Sequence, residues 1–101
     1  MIGEEYLKNL DNIPLEYIKV GYNFVKEYCE KDNLEIKDFF QDKNKIVSIS
    51  KVIRNELPFK YKLFLSENKL VELISENLDW IANKFEEFKK LEKSNSVQKK
   101  M

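Results

Sequence analysis

Apolar residues recur at helical spacing through most of this chain. In "PLEYIKVGYNFVKEYCEK", residues 14–31, Ile18, Tyr22, Val25 and Cys29 fall three or four apart. Tyr17, Phe24 and Tyr28 widen them into the broad apolar face of a central helix. Pro14 opens the segment, where its missing N–H costs nothing. Gly21 sits mid-helix at a cost of about 1 kcal/mol against alanine, which points to a neighbouring helix passing close by.

The longest periodic run, residues 67–92, carries Val71, Ile74, Leu78, Ile81, Phe85 and Phe88 at spacings that alternate between three and four. This is a heptad stripe, on a helix that Ser66 or Asn68 would cap. Between the two long segments, Asp32 and Glu35 have capping-box spacing and predict a short helix over 34–41. "DKNK" then reads as a polar joint, in which Asn44 suits a left-handed conformation. A further helix is predicted over 47–57, with Ile49, Val52 and Ile53 inward and Ser48, Lys51 and Asn55 on the opposite face.

Residues 59–65 read two ways. Phe59, Tyr61, Leu63 and Leu65 alternate as in a strand, yet Phe59 and Leu63 also stand four apart and Pro58 suits the start of a helix. No second alternating run offers a partner strand, which favours the helix. The predicted fold is all-α: a compact bundle of four or five helices, with 14–31 and 67–92 as its main walls and a strand-like segment at 59–65 as the alternative. One helical domain is expected over 1–93, followed by a frayed polar tail, 94–101.

Composition agrees with this reading. Two glycines and two prolines in 101 residues are too few for the frequent tight turns of a β-sandwich or barrel. Hydrophobic residues at 43% exceed what a disordered chain carries. No run approaches the ~20 apolar residues that span a bilayer, and "MIGEEYLKNL" lacks the basic start of a signal peptide. The single Cys29 cannot form an internal disulfide. The expectation is a cytoplasmic protein with no membrane association.

Chemistry is restricted by what the chain lacks. It has no histidine, so Ser-His-Asp and Cys-His arrangements are absent, as are histidine-containing zinc sites. Neither a P-loop nor a G-x-G-x-x-G motif occurs. The adjacent acids Glu4 with Glu5 and Glu86 with Glu87 read as solvated charge, and Cys29 as a small buried hydrophobe. The expectation is a non-enzymatic protein with no catalytic residues, metal or cofactor.

Charge narrows the choice of partner. Residues 1–40 hold five lysines against nine acids, whereas residues 41–66 hold six basic residues against two acids. In that basic stretch, Lys51 and Arg54 suit guanine edges or phosphates, and Asn55 suits adenine. Ser48, Lys60 and Lys62 would add backbone contacts. Residues 34–57 thereby resemble in outline a helix-turn-helix regulator, which implies DNA as partner, 47–57 as recognition helix and a dimer held by the heptad stripe. The joint "DKNK" departs from that family's pattern in lacking a glycine.

The preferred reading is a small protein-interaction module of the inhibitor, immunity or adaptor type found on mobile elements and phages. Its candidate contacts are large side chains off the main stripes: Trp80, Tyr61, Phe59 and Phe40. Self-association through Val71, Ile74, Leu78, Ile81, Phe85 and Phe88 is a separate expectation.

Overall fold

The computed structural model describes the backbone of residues 10–100, with side chains at residue 10 and over 12–93. The acidic start of the chain, with Glu4 and Glu5, lies outside the described residues. The fold is all-α. A single 3-10 turn, Leu10–Asn12, leads into α1 (Leu15–Asp32), α2 (Ile36–Phe39), α3 (Lys43–Glu56), α4 (Phe59–Lys62), α5 (Glu67–Glu76) and α6 (Leu78–Lys100). No strand occurs among the described residues, and 59–65 is helical at its start. Among the described residues there are six α-helices, more than the expected four or five, because the 67–92 wall is two helices. Side chains of the expected polar tail lie outside the described residues, and the backbone of α6 is helical through Lys100.

Helix α3 is sandwiched between α1 and α5. It buries Ile46, Ile49, Ser50 and Ile53 along one stripe. Ser50 satisfies its hydroxyl by donating to the Ile46 carbonyl at 2.8 Å, so its burial leaves no polar group orphaned. Gly21 accounts for the close approach of α1: a Cβ there would stand 2.8 Å from Ile53 Cδ1. The helix thus gives up propensity for contact with α3.

Three boundaries differ from the sequence expectation. The chain leaves α1 through Asn33 in the left-handed region, φ 56°, and the Leu34 N–H donates back to the Cys29 carbonyl at 2.9 Å. This is a Schellman ending, with Asn33, not Asn44, as the left-handed residue. Asp32 consequently ends α1, and α2 is one turn with no side-chain cap from Glu35. Helix α3 starts earlier than expected because Asp42 accepts from the Asn44 N–H at 2.9 Å, an N-cap that turns "KNK" into the first helical turn.

The third boundary is Asn77. Its own N–H donates to Ile74 at 3.0 Å, while its side-chain amide takes the Leu73 carbonyl at 2.8 Å. Its backbone leaves the helical region at φ −129°, ψ 36°. A local side-chain bond has replaced the helical one, and the heptad stripe is divided between α5 and α6.

Helix α6 is tied to α1 by rings and by two polar links to Glu92. Tyr22 lies 5.6 Å from Phe85 and 5.4 Å from Phe88, both edge-on. The Tyr22 hydroxyl donates to Glu92 Oε1 at 2.6 Å, and Lys26 Nζ stands 3.2 Å from the same oxygen. Burial, reinforced by the bond to Glu92, pushes the Tyr22 phenol up. The bond from Tyr22, opposed by desolvation and aided by Lys26, holds Glu92 below the usual carboxylate range.

A depressed carboxylate adds stability above its unfolded pKa of about 4.3 and loses it as pH falls through the folded value. With the Glu92 side chain 38% exposed, solvent screening keeps that contribution small. Tyr22→Phe is expected to cost about 1 kcal/mol at pH 7, and the difference from wild type should shrink at pH 3. Urea midpoints of both proteins at the two pH values check this. A pH-independent difference would assign the cost to something other than the Glu92 bond.

Candidate docking face

Pro58 determines where α3 stops. The residue before a proline is pushed out of the helical region, and Leu57 is extended, with ψ 143°. Pro58 then precedes the single turn α4. Two side chains face the body of the protein: Leu65 is fully buried, and Tyr61 packs on it with its ring 6.4 Å from Tyr17. Three others face solvent, Phe59 at 74%, Leu63 at 63% and Phe64 at 45% exposure. The Leu63 N–H donates to the Phe59 carbonyl at 3.1 Å, which places those two side chains on the same outer face.

This apolar knuckle is held by its backbone. Arg54 Nε donates to the Leu65 carbonyl at 2.8 Å, and Lys62 Nζ reaches the Asn55 carbonyl at 3.4 Å. Ser66 then caps α5, its hydroxyl accepting from the Lys69 N–H at 3.2 Å. The segment is therefore anchored from α3 on one side and α5 on the other, while Phe59, Leu63 and Phe64 carry little of the packing.

The residues read as nucleic-acid contacts are partly brought together. Lys51, Arg54, Asn55 and Lys62 line one shallow depression of about 390 Å³, with Val52 and Glu67. No ion pair involves Lys51, Arg54 or Lys62 among the described residues. Ser48 lies a turn earlier, its hydroxyl donating to the Asn44 carbonyl at 3.1 Å. Lys60 is exposed, its ammonium 5.4 Å from the centre of the Tyr61 ring. The expected first helix of a helix-turn-helix is missing as such: α2 is four residues long and buries Ile36 and Phe39.

The remaining candidates divide between surface and core. Phe40 is a core residue, 4% exposed and 5.8 Å from Phe85, so its assignment as a contact is corrected. Trp80 is half-buried against the core, with Lys84 Nζ 5.7 Å from its ring. Of the heptad stripe, Ile74, Ile81 and Phe85 are fully buried in the chain's own core. Val71, Leu78 and Phe88 are half-buried against it, so the stripe faces the chain's own core and is divided between two helices.

Leu63 and Phe64 escaped the sequence reading. The signal was the density of "FKYKLFL" between a proline and a capping serine: a single turn cannot turn five large apolar side chains inward. No helix among the described residues is long and apolar enough to cross a membrane. Comparison with protein-family models, curated proteins and solved structures gives no match to the chain.

Proposed function

We propose that the chain is a small non-enzymatic protein-interaction module, of the inhibitor, immunity or adaptor kind, that docks through the α4 knuckle. The observation that carries this reading is the exposure of Phe59, Leu63 and Phe64 on a segment pinned by Arg54 and Ser66. An exposed apolar cluster loses contact with water when covered. A preformed one loses little conformational entropy on binding. Lys60 and Lys62 lie in the same turn, and Lys62 shares a depression with Lys51, Arg54 and Glu67, so the partner best suited to it offers an apolar pocket with an acidic rim.

The test places a photo-crosslinking phenylalanine analogue at position 59 or 63, with position 37 on exposed Lys37 as control. Crosslinking from 59 and 63 to one acidic-rimmed protein, competed by wild type and absent from 37, supports the reading. Phe59→Ala with Leu63→Ala should weaken that complex at least tenfold, about 1.4 kcal/mol, at unchanged thermal stability. Equal crosslinking from position 37 would sink the reading. So would a steeply salt-dependent affinity for duplex DNA, lost on Lys51→Ala with Lys62→Ala, which would favour the nucleic-acid alternative.

A further inference from the structure

Away from the knuckle, residues of α1, of the joint at 33–36 and of α6 line a groove of about 600 Å³. That volume lies in the range of small-molecule sites. Its apolar lining is Cys29 and Ile36, both buried, with Leu34 half-buried beside them. Desolvation pushes the Cys29 thiol up, so it presents a neutral, polarizable surface.

The rim is charged. Lys26, Lys89 and Lys93 stand against Glu30 and Glu92. Glu92 is already engaged by the Tyr22 hydroxyl and Lys26. Lys89 and Lys93 make no ion pair among the described residues, and one turn of α6 separates them. Two unpaired ammonium groups thus face one unpaired carboxylate beside an apolar surface. A cationic ligand would meet the wrong sign of charge, and a small hydrophilic anion would make no use of the apolar floor, of which half-buried Leu34 is the most open part.

We propose that this groove binds an anionic amphiphile, an aliphatic chain lying on Cys29, Leu34 and Ile36 with its carboxylate at Lys89 and Lys93. The site is independent of the α4 knuckle, so either can stand without the other.

The test titrates isotope-labelled full-length protein with dodecanoate below its micelle concentration and follows backbone amide resonances. Saturable shifts centred on Cys29, Leu34, Lys89 and Lys93 are expected. Acetate, the head without the tail, should give none, and dodecanol, the tail without the charge, should bind more weakly. Both lysines are exposed, so Lys89→Glu with Lys93→Glu should keep the fold, as the unligated spectrum would show. That variant should weaken dodecanoate at least about fivefold and leave dodecanol unchanged. Shifts centred on Phe59, Leu63 and Phe64, equal affinity for dodecanol, indifference to the charge reversal, or no binding would each overturn the proposal.

Discussion

Phe85→Ala is expected to lower the stability of the domain by about 3–5 kcal/mol. Phe85 has no exposed surface. Its ring meets Tyr22 of α1 at 5.6 Å, Phe40 beyond α2 at 5.8 Å and Phe88 of its own helix at 6.4 Å. Truncation removes the transfer energy of a whole ring and leaves a cavity walled by other rings, which are too rigid to collapse into it. Domains of this size have only about 5–15 kcal/mol in all, so the variant should populate unfolded chain at moderate temperature. Urea unfolding checks this, with a lower midpoint at unchanged slope. A loss below about 1 kcal/mol, far under the range for a buried ring, would mean that α6 does not close the core.

Gly21→Val is expected to cost about 3 kcal/mol, the upper part of the range for overpacking. The new Cβ would stand 2.8 Å from Ile53 Cδ1, 2.9 Å from Ile53 Cγ1 and 3.3 Å from Ile49 Cδ1. Both isoleucines are fully buried, so neither has free space to retreat into. Alanine presents the same Cβ but recovers about 1 kcal/mol of helix propensity, so Gly21→Ala should be much milder. Ile53→Val deletes the methyl nearest the new Cβ. In that background a γ-carbon still stands 2.9 Å from the new Cβ, so Gly21→Ala should cost less than it does in wild type without becoming free, a coupling that a double-mutant cycle in urea reads directly. Strict additivity would show that the two helices do not meet at Gly21.

That contact is among the most legible features of the chain. A glycine inside a strongly periodic helix has few explanations, and the side chains it admits, Ile49 and Ile53, are inward residues of the helix predicted over 47–57. The all-α fold was legible for a similar reason: spacing of three and four, with few turn residues, leaves little else. The Asn77 break was not. Residues on either side of it keep the same spacing, because Ile74 and Ile81 pack into one core from two helices. Periodicity records which residues turn inward, not whether the backbone between them is continuous.

The candidate site was half legible. Phe59 stood out as a large residue off the stripes, but Phe40 looked equivalent in sequence and is buried. The difference is positional: Phe40 follows a turn pressed between α1 and α6, where Phe39 and Phe85 enclose it, whereas Phe59 follows a proline at the outer corner of the bundle. Arg54 was read for its charge. Its hydrogen bond to the carbonyl of Leu65, eleven residues further on, depends on the chain closing back on α3, which local pattern does not encode.

The way α4 is held has an evolutionary consequence. Its shape rests on Pro58, on Arg54 reaching a main-chain carbonyl, and on the inward residues Tyr61 and Leu65. Positions 59, 60, 63 and 64 contribute exposed side chains to a backbone that others hold in place. Mutation there meets little purifying pressure from folding, so this corner can drift or be retargeted while the bundle behind it stays fixed. The same four positions form a natural library site, where diversified sequences would be displayed on an unchanged scaffold.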